Sequence, residues 1–128
     1  MVGIVVVSHS AELASGLSVL AAQMAGPDVA IEPAGGTAGG SLGTDEAAVR
    51  AAIDRAGRDG DGVVVLGDLG SSILTVRSLL SEHDNGHVAL ADAPFVEGAV
   101  TAAVTASAGA DLATVLQAAE EARDARKL

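Results

Sequence analysis

The chain of 128 residues contains no cysteine, no tryptophan and no tyrosine, and its one aromatic residue is Phe95. Without cysteine, disulfides and thiolate chemistry are excluded. Without aromatic platforms, bases of a single-stranded nucleic acid have nothing to stack on. Basic residues are also scarce, six arginines and Lys127, against a formal net charge of -10. Nucleic-acid binding is therefore not expected, since a run of phosphates would meet no neutralising surface. The opening MVGIVVVSHS has no basic n-region, and its apolar run is too short for a signal peptide. No stretch approaches the ~20 apolar residues of a membrane span. A cytoplasmic location is the expectation.

What remains is an aliphatic chain, 49% hydrophobic, whose core must be built from Val, Leu, Ile and Ala. Its length suits a single domain over residues 1–128 with one core of ordinary size. Residues 3–8, GIVVVS, read as a strand buried on both faces. A helix is expected from about Ser10 to Ala25, with Leu13, Leu17, Leu20 and Met24 as its apolar stripe and Gly26-Pro27 as its stop. A shorter strand at 29–33, nearer an edge, precedes the Gly-rich stretch GGTAGGSLG at 35–43, which reads as a mobile loop. Thr44 is the expected cap of a helix over 45–57 with Val49, Ala52, Ile53 and Ala56 on its inner side.

GVVVLG at 62–67 is a third strand, as apolar as the first. The loop Asp68-Leu69-Gly70-Ser71-Ser72 leads into a helix to about Glu82, with Ile73, Val76, Leu79 and Leu80 facing the core. His83 and His87 flank a turn at Asp84-Asn85-Gly86; with no further ligands nearby they read as surface residues, and no metal site or cofactor is expected. A fourth short strand covers 87–90, Pro94 opens a helix to about Ser107, and Asp111 caps a last helix carrying Leu112, Val115 and Leu116.

Strands that alternate with helices define an α/β class with an open parallel sheet flanked by helices on both faces. Right-handed crossovers limit the topologies, and the two most apolar strands belong in the centre, giving the order 2-1-3-4, with room for an extra edge strand. Between the first and third strands the chain reverses direction, and the crevice there is where such sheets bind ligands. The residues just beyond those strands are His9 and Asp68. A neutral imidazole is a nucleophile near pH 7. Asp68 is placed to accept the Nδ1–H bond, leave Nε2 free and stabilise a cationic ring. The plainer readings are a polar strand-end histidine and a helix-capping aspartate. Gly70, Ser71 and Ser72, with Ser10, are candidates to hold phosphoryl oxygens at helix N-termini, or simply to cap them. The Gly-rich loop lacks the Gly-Lys-Ser/Thr ending of a P-loop, so the chain is not expected to bind a nucleotide by itself.

The segments VVVSHSAELASGLSVLAAQM, GTDEA at 43–47, GDLGSS at 67–72 and APFVEGAVTAAVTASAGADL at 93–112 resemble, in order and along essentially the whole chain, the DhaM family. These are the phosphotransferase subunits of bacterial and archaeal dihydroxyacetone kinases, which share the fold of mannose-type enzyme IIA domains. The resemblance implies a homodimer and a cytoplasmic phosphocarrier in which His9 is phosphorylated through Nε2 with Asp68 as its partner. It implies receipt of the phosphoryl group from phosphoenolpyruvate through enzyme I and HPr. It implies delivery to ADP held on the DhaL subunit, and from there to dihydroxyacetone held by DhaK. Some members carry fused HPr-like and enzyme I-like domains; here separate proteins are the expectation. Two other functions fit His9 and Asp68 equally: a mannose-type IIA feeding a sugar permease, and a regulatory module whose phosphorylation only changes its partners. A small-molecule-binding α/β domain with no phosphorylation is a third. The acidic charge is awkward at a phosphoryl site, so the acids are expected to lie away from the His9 crevice or to be offset by a basic partner.

Overall fold

The computed structural model describes every residue but Asp84 and Asn85, so the expected turn there lies outside the described residues. Four parallel strands, β1 (Gly3–Ser8), β2 (Ile31–Gly35), β3 (Val63–Gly67) and β4 (Val88–Leu90), form one sheet of order β2-β1-β3-β4. The order and the central place of the two wholly apolar strands are as the sequence leads one to expect. β2 begins two residues later than expected, at Ile31, and lies at an edge. No further edge strand joins the sheet among the described residues.

The helices are α1 (Ala11–Ala25), α2 (Glu46–Ala56), α3 (Gly70–His83), α4 (Phe95–Ser107) and α5 (Leu112–Glu121), followed by a short 3-10 turn over Ala122–Asp124. Strand residues alternate between the two faces. Ile4, Val6, Val64 and Leu66 point to α1, α4 and α5, while Val5, Val7, Val63 and Val65 point to α2 and α3. The scarcity of aromatics is met by small side chains: Ala99, Ala102, Ala103 and Ala106 of α4 are fully buried and let that helix lie close on the sheet.

Two expectations need correction. The α1 stripe does not face the core: Leu13, Leu20 and Met24 are 45%, 43% and 59% exposed, and the buried residues are Ala14, Leu17 and Ala21. Helix and sheet approach through the alanine side, which leaves the larger apolar residues outside. Thr44 does not cap α2 either; Asp45 does, its Oδ1 accepting the N–H of Ala47 at 3.0 Å. Pro94 occupies the cap position just before α4, and Asp111 caps α5 as expected, accepting from Thr114 at 3.0 Å.

Truncation of core and loop leucines separates the two classes of apolar residue. Leu17→Ala is expected to cost about 2–5 kcal/mol in urea denaturation. Leu42→Ala, at a loop position 75% exposed, is expected to stay within about 0.5 kcal/mol of the parent chain.

Candidate functional site

The register sets the site. Val7 of β1 pairs with Gly67 of β3, so Ser8 and Asp68 leave the two central strands side by side, and His9 follows. The N–H of Asp68 donates to the carbonyl of Val7 at 3.1 Å. α1 begins directly after His9; its N-cap Ser10 sits so close over the end of β2 that a Cβ at Gly35 would lie 2.6 Å from the Ser10 carbonyl oxygen. Only glycine fits there.

Asp68 is the hub. Its Oδ2 accepts from the Ser8 hydroxyl at 2.7 Å and the His9 N–H at 3.2 Å; its Oδ1 accepts from the Ser72 hydroxyl at 2.9 Å and the Leu69 N–H at 2.7 Å. Its side chain is 11% exposed. Burial on its own raises the pKa; the donations from Ser8, Ser72, Leu69 and His9 outweigh it and hold the carboxyl below its ordinary value.

The direct Nδ1 to Asp68 hydrogen bond expected from the sequence is not formed: Nδ1 and Oδ1 are 3.6 Å apart, in ion-pair reach but beyond hydrogen-bond length. Ser72 stands between them. Its hydroxyl donates to Asp68 and faces Nδ1 at 3.4 Å, and it also meets the Thr44 hydroxyl at 3.1 Å. A hydroxyl whose proton goes to the carboxylate presents its lone pairs to Nδ1–H, so the carboxylate sets the tautomer through Ser72. On the outer side, Nε2 meets the Ser71 hydroxyl. The imidazole is 29% exposed.

The candidate residues thus separate. Ser71 and Gly70 are exposed at the start of α3, beside Nε2. The backbone N–H groups of Gly70, Ser71 and Ser72 donate to no backbone acceptor among the described residues, as expected of a helix start open to an anion. Ser72, by contrast, is fully buried and its hydroxyl belongs to the Nδ1 side. Ser10 is committed to capping α1, accepting from Leu13 at 3.2 Å, and its Oγ lies 3.1 Å from Glu12. Sequence reasoning missed Ser8 and Thr44. Ser8 carried a signal, as a polar residue ending an apolar strand. Thr44 carried none beyond its place before a helix. The Gly-rich loop is tied down at both ends: the Gly43 N–H donates to the His9 carbonyl at 2.9 Å, Gly36 bridges to Thr44, and Thr37 and Ser41 bond to each other.

A nucleophilic ring at a sheet switch point, with one nitrogen anchored and the other facing open N–H donors, suits group transfer. Comparisons with known proteins give the family. A model of the family described as PTS system fructose IIA component matches residues 3–116, and the chain belongs to that family. A relative from Pantoea ananatis (strain LMG 20103), named PEP-dependent dihydroxyacetone kinase, phosphoryl donor subunit DhaM, is 41% identical over 99% of this chain and 28% of its own length. One from Lactococcus lactis subsp. lactis (strain IL1403), named PTS-dependent dihydroxyacetone kinase, phosphotransferase subunit DhaM, is 34% identical over 93% of this chain and 94% of its own. Within the family the chain therefore stands among the DhaM subunits. It spans 28% of the length of the longer relatives and nearly all of the lactococcal one. The crystal structure of a protein of unknown function superposes with a TM-score of 0.82 at 34% identity, over 94% of this chain and 95% of that one. Among the described residues, no helix is long and apolar enough to cross a membrane.

The Asp68 network has a pH signature. Because its folded-state pKa is lowered, the carboxylate stabilises the fold above about pH 4, the unfolded value, and this contribution is lost as pH falls through the folded value. Asp68→Asn is expected to be less stable than the parent at pH 7, with the gap closing in acid. Urea midpoints measured from pH 7 to pH 2.5 check this; a gap that stays constant would show that the network does not hold the charge.

Proposed function

We propose that the chain is the phosphohistidine carrier of a dihydroxyacetone kinase. In this reading His9 takes a phosphoryl group from phospho-HPr and delivers it to ADP on a DhaL subunit, which serves DhaK. The chain is then the phosphotransferase component of phosphoenolpyruvate–glycerone phosphotransferase, acting in the cytoplasm. The supporting observation is the asymmetry of the imidazole. Nδ1 faces inward to Ser72 and Asp68, and Nε2 faces outward to Ser71 and the open N–H groups of α3.

In the first half-reaction the Nε2 lone pair attacks phosphorus, a new N–P bond forms, and the donor imidazole leaves. Nδ1 keeps its proton, so the phosphorylated ring gains cationic character, and the Asp68 carboxylate behind Ser72 balances it. Gly70 and Ser71 N–H groups and the Ser71 hydroxyl receive the phosphoryl oxygens. In the second half-reaction a terminal phosphate oxygen of ADP attacks, the N–P bond breaks, and neutral His9 is restored. The work left to the chain is positioning and charge stabilisation. The lack of a P-loop fits a nucleotide carried by the partner.

Incubation with phosphoenolpyruvate, enzyme I and HPr is expected to add one phosphoryl group to the parent chain and none to His9→Ala, read by intact mass. Asp68→Ala is expected to slow labelling by about 100-fold, the scale of losing one preorganised charge-stabilising group. Absence of label on the parent chain would overturn the carrier reading. Transfer to a IIB domain and not to DhaL-bound ADP would overturn the acceptor half.

The homodimer belongs to the same proposal and is supported by α1. Leu13 and Leu20 stand open to solvent beside Val96 of α4, which is 41% exposed, and Met24 is exposed one turn further along α1. The helix carries a single charge, Glu12, so two copies can meet there despite the overall acidity. Leu20→Asp is expected to halve the mass measured by light scattering without loss of helix signal. An unchanged mass would remove this face from the assembly.

A further inference from the structure

On the β4 side of Asp68 lies a cleft of about 600 Å³ that the transfer steps above leave unused. Its walls are the ends of β3 and β4, at Gly67 and Leu90 to Ala93, and one face of α3 formed by Gly70, Ile73 and Arg77. It shares Asp68, Leu69 and Gly70 with the His9 site, so a molecule seated in it reaches the reacting centre.

Arg77 is the sole basic residue of the lining. Four other cations are paired with acids, Arg50 with Glu46, Arg55 with Glu32, Arg123 with Asp92 and Lys127 with Glu97, and none of them lines this cleft. The two acids of the cleft are themselves engaged. Asp68 accepts four hydrogen bonds from its own neighbourhood, and Asp92 lies 3.2 Å from Arg123. The Arg77 charge therefore stands uncancelled in a chain of net charge -10. Gly70 to Arg77 is two helical turns, about 10 Å of rise, and helical side chains lean back toward the N-terminus. From this position the guanidinium is within reach of the cleft mouth at the α3 start.

We infer that this cleft receives the phosphoryl acceptor and that Arg77 selects one that is itself a phosphate anhydride, gripping the non-reacting phosphate of a nucleoside diphosphate while its terminal oxygen attacks. A guanidinium matches phosphate bidentately. Arg77 is on this argument a specificity-determining residue of the second half-reaction, and the inference rests on the carrier reading given above.

The two half-reactions provide the test. Parent, Arg77→Ala and Arg77→Lys chains are phosphorylated with phosphoenolpyruvate, enzyme I and HPr, and the isolated phospho-forms are then mixed with ADP-loaded DhaL. The expected result is equal labelling by HPr in all three. On the acceptor side, KM for ADP-loaded DhaL should rise by about 10- to 100-fold in Arg77→Ala, the scale of a lost charge-assisted contact, with partial recovery in Arg77→Lys. Equal transfer by parent and Arg77→Ala overturns the inference and leaves the carrier reading intact, as does a defect confined to the HPr step. Failure of the parent chain to become labelled is the separate outcome that sinks the carrier reading. Circular dichroism confirms that the exposed substitution leaves the fold unchanged.

Discussion

One carboxylate joins the two central strands where the chain reverses direction. Asp68 takes donors from the end of β1, through Ser8 and the His9 N–H, and from the start of α3, through Leu69 and Ser72. Parallel strands held only by their ladder end without anything to fix the loops above them. Here the loops are fixed to each other through a group that is itself mostly shielded from water. Four hydrogen bonds to one partly buried anion are cooperative in a way that four separate neutral bonds are not, because each additional donor lowers the cost of keeping the charge. The position of the imidazole follows from this: with the His9 N–H committed to Asp68, the ring has one side against Ser72 and the other toward solvent.

The placement of this site was legible because it depends on topology. Two runs of β-branched residues with no polar interruption, 3–8 and 62–67, identify the central strands, and parallel α/β geometry then brings their ends together. Fine contacts were not legible in the same way. A serine at a helix start can hold phosphoryl oxygens or cap the helix, but Ser72 lies one residue further round the turn than Ser71, and that rotation buries it. Thr44 reaches Ser72 across 28 residues of chain, and nothing in its local sequence signals the contact. The error in α1 has another origin. Leu13, Leu17, Leu20 and Met24 share a helical stripe, but hydrophobicity does not say which apolar face a helix turns inward. With Ala14 and Ala21 flanking Leu17, the helix can sit closer to the sheet, and closer packing recovers more dispersion contact per residue than larger side chains held at a distance.

Acidity at a phosphoryl site remains the physical tension. Acids are not confined to the far side of the molecule: Glu12 sits beside Ser10, and Asp68 is part of the site. Asp68 is screened by its donors and faces the imidazole, so it helps the cationic ring more than it repels the phosphoryl oxygens. Glu12 lies in the first turn of α1, where a carboxylate offsets the helix dipole. That same offset weakens the N-terminus of α1 as an anion site, whereas α3 has no acid in its first turn and keeps its partial positive charge. Of the two helices that begin at the crevice, α3 is the one with no acid in its first turn, and the Asp68 carboxylate just before it is occupied by four donors. It is also the helix that carries Ser71 beside Nε2 and Arg77 in the adjoining cleft. On the proposed carrier reading, this division of charge between two helix starts directs the phosphoryl group toward β4 and away from α1, the side from which an anionic acceptor approaches without meeting Glu12.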